Sequence, residues 1–151
     1  MKLWIAVLVC FFLSPYFACA QTRDETVAYI VSEFKSFESR EYKYTEVAFP
    51  PSGDTFTLRR KAQGDKDYVL TFSLKDVDIY KVTLNHPNGI NQHQLMVRPR
   101  GPAAGITKDG ATFKGVLKMS PATENESKIL ALERAFARMT ELATGRKLFP
   151  R

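Results

Sequence analysis

His86 and His93 are the only imidazoles in the chain. Imidazoles ligate metals or act as general bases where carboxylates stand close by, and Asp76 and Asp78 lie just upstream. The spacing does not complete a zinc set, so no metal site is expected. The two histidines are read as polar residues at the rim of a core, on one face of a hairpin. Ser32 and Lys35 match Ser-x-x-Lys, but the Ser-Asp-Asn and Lys-Thr-Gly motifs that accompany it in penicillin-binding chemistry are absent. No nucleophile elbow, Walker loop or dinucleotide fingerprint is present. No catalytic residue is assigned and no cofactor is expected. Carboxylates are plentiful enough for a glycosidase-type pair, although most lie on expected helix surfaces, where Glu is a good helix former.

The remaining chemical signal is basic. The formal net charge is +6. Arg59, Arg60 and Lys61 cluster on one expected strand, Arg98 and Arg100 end another, and Lys108, Lys114 and Lys118 lie near the last. Thr57, Arg59 and Lys61 fall opposite Phe56 and Leu58, and Arg98 opposite Val97, so these cations should face solvent. Arg59, Arg60, Lys61, Arg98, Arg100, Lys114 and Lys118 are therefore the candidate ligand-binding residues. Their partner would be anionic: envelope lipid, polysaccharide or an acidic protein. A solvated basic surface that only aids solubility is the bland reading of the same residues. The favoured function is a non-catalytic binding or accessory module of the bacterial envelope. The alternative is a small exported hydrolase with a carboxylate/His site.

Export is read from the N-terminus. Lys2 precedes the apolar run Leu3 to Leu13, which is shorter than the ~20 residues a spanning helix needs and suits a signal-peptide core. Pro15 breaks that run, and Ala18-Cys19-Ala20 places small residues for cleavage after Ala20. Lipid attachment at Cys19 is the competing reading. Residues 1–20 are thus a signal peptide and 21–151 a single α+β domain, periplasmic or secreted, with no transmembrane anchor after cleavage. Nucleic acid is not an expected partner of an exported protein. Both cysteines, Cys10 and Cys19, fall in the signal, leaving a disulfide-free domain that must stand on its core.

The elements that would carry these residues run helix, strands, helix. Thr22-x-x-Glu25 is a capping box, followed by Val27, Ile30, Val31, Phe34 and Phe37 at near-helical spacing to about Ser39. Tyr42 to Phe49, the Phe56/Leu58 stretch and the Tyr68/Leu70/Phe72/Leu74 alternation read as strands, with a hairpin turn at Gly64-Asp65. Asn88-Gly89 predicts a two-residue hairpin pairing Leu84 with His93, Val82 with Leu95 and Tyr80 with Val97. A last strand is expected near Phe113 to Met119. Thr123 and Glu126 suggest a second capping box, opening a helix with Ile129, Leu132, Phe136, Met139 and Ala143 in one stripe and Gly145 as its C-cap, followed by Arg146 and Lys147. Leu70, Phe72, Tyr80, Val82, Leu95, Val97, Phe136 and Met139 are the predicted core. The fold class is α+β: an antiparallel sheet curled into a roll or small barrel like a pleckstrin-homology barrel, with a cystatin-like sheet on a helix as the alternative.

The stretches "FSLKDVDIYKVTL" (Phe72–Leu84) and "RAFARMTELATGRKLF" (Arg134–Phe149) resemble uncharacterised exported bacterial α+β domains. The resemblance rests on core and cap positions and implies no activity.

Overall fold

A computed structural model describes residues 22–39, 42–62, 68–102 and 104–145. The expected signal peptide, the Gly64-Asp65 turn and Arg146-Lys147 lie outside the described residues. Helix α1 (Arg23–Ser36) precedes β1 (Tyr42–Ala48), β2 (Thr55–Ala62) and β3 (Tyr68–Ser73). After a 3-10 turn at Leu74–Asp76 come β4 (Val77–Asn85), β5 (Asn91–Pro99), β6 (Ile106–Lys108), β7 (Ala111–Phe113) and β8 (Leu117–Lys118). Helix α2 (Glu126–Thr144) follows.

The architecture is α+β with antiparallel sheets, as the sequence suggested, but the sheets do not close into a barrel. The strands divide into a five-stranded sheet, β1-β2-β3-β6-β7, and a three-stranded sheet, β4-β5-β8. The 3-10 turn makes the division. It interrupts what the sequence presents as a continuous extended run, and Leu74 within it is 1 % exposed. Its backbone is held from both sides, by Leu74 N–H donating to Asp54 O (2.8 Å) and Arg100 N–H donating to Asp76 O (2.8 Å). The chain therefore changes sheet there rather than extending one sheet around a barrel.

Helix α1 starts as the sequence predicts. Thr22 and Glu25 form the reciprocal capping box, and Ile30 and Phe34 are fully buried. Phe34 meets Phe56 of β2 at 6.1 Å and Phe136 of α2 at 6.2 Å, and Phe56 meets Phe136 edge-on at 5.1 Å and Phe72 at 5.4 Å. These rings fasten both helices to the inner face of the five-stranded sheet. Burial of each is worth about 1.5–3 kcal/mol, with about 0.5–1.5 kcal/mol more where edges meet faces. Helix α2 also lies against β4 and β5. Its N-cap is Asn125, whose side chain accepts from Lys128 N–H at 3.1 Å. Thr123 is not the N-cap: its backbone is bridged to His93, and its Oγ1 accepts from Asn125 N–H at 3.2 Å.

The β4–β5 register differs by one residue from the sequence expectation. Tyr80 pairs with Met96, Lys81 with Leu95, Val82 with Gln94 and Thr83 with His93. A two-residue turn at Asn88-Gly89 would require Pro87 to donate a ladder bond, and proline has no N–H. Instead Pro87 takes the second position of a turn closed by Gly89 N–H to His86 O at 3.0 Å, with Gly89 at φ +79°. The side-chain period is two, so the slip moves Tyr80 and Val82 from the predicted core to the other face. Of the predicted core, Leu70, Phe72, Leu95, Val97, Phe136 and Met139 are buried.

The two-residue hairpin occurs elsewhere. Asp109 (φ +50°) and Gly110 (φ +83°) connect Lys108 and Ala111 of β6 and β7, both in the left-handed region that such a turn demands. The single strand expected near Phe113 to Met119 is in fact the end of β7, a turn and the short β8.

Candidate functional site

The alternation that buries Phe56 and Leu58 also carries Arg60 onto the inner face of the five-stranded sheet. Arg60 pairs with Tyr68, and Leu70 with Lys108, so all four share that face. Here the apolar core gives way to cations around an aromatic ring. Arg60 Cζ lies 4.9 Å from the Tyr68 ring centroid and Lys108 Nζ 5.3 Å from it. Lys108 also lies 6.0 Å from the ring of Phe113. Tyr68 and Phe113 both pack on the core while remaining partly open. The Tyr68 hydroxyl donates to Lys118 O on β8 at 3.5 Å, joining the two sheets.

Burial raises the Tyr68 phenol above its ordinary pKa; Arg60 opposes this shift and the Asp109 charge adds to it. The phenol thus stays protonated and keeps its donation to Lys118 O. Asp109 is committed to the fold, since its Oδ1 accepts from Val69 N–H at 2.8 Å. Among the described residues no carboxylate forms an ion pair with Lys108. Cations set over aromatic faces are attracted by the ring quadrupole, which holds both side chains at this end of the sheet.

The remaining predicted residues do not form one surface. Arg59 and Lys61 lie on the outer face of the five-stranded sheet, where Arg59 pairs with Glu46 at 3.3 Å and Lys61 stands opposite Lys43. Arg98 belongs to the three-stranded sheet, 3.4 Å from Asp78 and 5.3 Å from the Tyr80 ring. Arg100 is structural: it donates to Asp78 at 3.1 Å, to Lys75 O at 3.1 Å and to Val77 O at 2.9 Å. Lys114 is exposed after β7, and Lys118 is exposed on β8. Sequence reasoning missed Tyr68, Lys108 and Phe113 as site residues. The available signal was parity, because a cation two positions after Leu58 continues a core stripe.

The histidines are separated. His93 is 7 % exposed, and its Nδ1 lies 3.0 Å from Thr83 Oγ1 on the inner face of the three-stranded sheet. His86 is exposed in the turn, where its Nε2 lies 3.2 Å from Gln92 Oε1. The expectation of a shared face thus fails with the register. Nearby carboxylates are also occupied. Glu126 pairs with Lys81, which holds its carboxyl below the ordinary range, and Glu133 Oε1 accepts from Lys81 N–H at 3.1 Å. Among the described residues no group of three or more His, Cys, Asp or Glu is placed to hold a metal.

An open cleft of about 510 Å³ lies between the loop at Gly53-Asp54, Lys75, Arg100 and the last turn of α2. Its polar groups bond within the protein: Asp54 accepts from Ser73 and lies 3.9 Å from Lys75, and Thr140 and Thr144 donate to carbonyls of their own helix. No described helix is long and apolar enough to cross a membrane. Compared with protein-family models, curated proteins and solved structures, the chain matches none, so its function has to be read from the side chains themselves.

Proposed function

We propose that this protein is an exported, non-catalytic binding or accessory module that takes an anionic partner at the Tyr68 end of its five-stranded sheet. The observation that carries this reading is the convergence of Arg60 and Lys108 on one aromatic ring. The Tyr68 hydroxyl fixes that ring by donating to Lys118 O. Export rests on the apolar run and small residues before Gln21. The hydrolase alternative has less support, because His93, Glu126 and Glu133 are each engaged within the fold and the cleft contains no histidine.

Binding of this kind is electrostatic, so it should weaken with salt, which screens over about 8 Å at physiological ionic strength. The test is binding to anionic vesicles and to an anionic polysaccharide at low and high salt, with Arg60→Gln, Lys108→Gln and a Lys61→Gln control. Loss of salt-sensitive binding in the first two variants, with retention in the control, is expected. Absence of binding to both probes at low salt, or binding indifferent to Lys108→Gln, refutes the reading.

A further inference from the structure

We propose that the outer face of the three-stranded sheet docks onto an anionic phospholipid surface. This rests on the anionic-partner reading and names its source.

The two outer faces differ in chemistry. Across the five-stranded sheet, register aligns Thr57, Thr71, Thr107 and Thr112 in one row, a hydroxyl surface that water satisfies. The outer face of the three-stranded sheet instead carries Tyr80, Val82, Leu84 and Met96, each half-buried and placed there by the pairings Tyr80–Met96 and Val82–Gln94. None of these four packs on the core, whereas Ile79, of opposite parity, does. Val116, just before β8, continues the surface and is 47 % exposed. In its midst Gln94 is only 8 % exposed, yet its Oε1 has no hydrogen-bond partner. That oxygen is closed off from solvent, so the contact is left to the side chains around it.

Size and charge select the occupant. Strand rise and spacing make the face about 30 Å by about 10–15 Å, on the order of 400 Å², about half of the ~800 Å² per partner of a standard stable protein interface. It therefore suits a peripheral lipid contact better than a second copy. Its cations lie at one end. Arg98, with 56 % of its side chain exposed, stacks on Tyr80, and the exposed Lys118 stands opposite Met96. An aromatic paired with cations beside an apolar strip matches the depth profile of an anionic bilayer interface. Each cation near such a surface raises partitioning about fivefold.

The sole tryptophan of the sequence is Trp4. A chain starting at Gln21 retains every described element and is free of tryptophan. Val116→Trp in that chain places a reporter on the face, with circular dichroism confirming the fold. Mixed phosphatidylcholine–phosphatidylglycerol vesicles should shift its emission to the blue, and acyl-brominated lipids should quench it. Met96→Gln should lower vesicle partitioning about tenfold, through loss of buried apolar area. Salt-sensitive vesicle binding with the Val116→Trp indole still in water overturns docking by this face and leaves the anionic-partner reading intact. Concentration-dependent dimerisation without vesicle binding overturns the lipid in favour of a second copy. Failure to bind vesicles or polysaccharide removes both proposals.

Discussion

The five-stranded and three-stranded sheets solve one problem with different side chains. In the first, the inner face is Phe56, Leu58, Leu70, Phe72 and Ile106, all 3 % exposed or less, and the outer face carries threonines and charges. In the second, the inner face mixes Leu95 and Val97 with Lys81, Thr83 and His93, while the outer face carries Tyr80, Val82, Leu84 and Met96. Strong contrast between faces makes strand orientation self-evident, since one placement buries rings and the other buries charges. Weak contrast leaves orientation to the turn and to neighbouring elements. The apolar content unused in the second core is the material from which a docking face can be built.

The largest expected effect lies where the first sheet meets both helices. Phe136 is 1 % exposed among Phe34, Phe49 and Phe56, so Phe136→Ala should cost about 3–5 kcal/mol in chemical denaturation. A loss under about 1 kcal/mol would mean that α2 does not close this core. The second test uses the two faces of the three-stranded sheet. Leu95→Ala should cost about 2–5 kcal/mol, and Val82→Ala under about 1 kcal/mol. Equal large costs would restore the register in which Val82 faces Leu95.

The next effect concerns strand edges. Glu38 accepts from Tyr44 N–H on β1, and Glu133 from Lys81 N–H on β4, each at 3.1 Å. Both carboxylates occupy the backbone of terminal strands that could otherwise pair with another chain. Glu133→Ala should cost about 1–2 kcal/mol and increase self-association in light scattering. Unchanged melting and a monodisperse variant would show that the cap is incidental.

The smallest effect is acidic. Lys81 holds the Glu126 carboxyl below its ordinary value, chiefly through the side-chain hydrogen bond. A folded-state pKa below the unfolded one gives stability that is present above the unfolded value and lost as pH falls through the folded one. The wild type should therefore melt slightly above Glu126→Gln at pH 7 and lose that lead below the ordinary carboxylate range of about 4.3. A lead that persists at strongly acidic pH would place the effect in packing.

By itself the sequence determined the α+β class, both helices and the first three strands. The Thr22–Glu25 cap, the Phe34 and Phe136 stripes and the alternations through Phe56 and Phe72 are local signals with strong apolar contrast, so burial could satisfy them in one way. Gly145 was likewise legible, and it ends α2 in the left-handed conformation. Of the site, the cations were legible as residue types but not as an arrangement: Arg60 was visible, its approach to Tyr68 and Lys108 was not.

Tertiary structure alone decided three things. It broke the run at Leu74–Asp76 and divided the strands into two sheets, because the Asp54 and Arg100 backbones hold that turn from outside the local sequence. It slipped the β4–β5 register by one residue, because Pro87 cannot donate in a two-residue turn while both faces of β4 are apolar enough to be buried. It brought Lys108 to Arg60 across about 50 residues of chain, through the pairing of β3 with both β2 and β6. The physical reason is common to all three. Periodicity reports which side chains share a face, whereas the partner of that face is chosen by the free energy of the whole core.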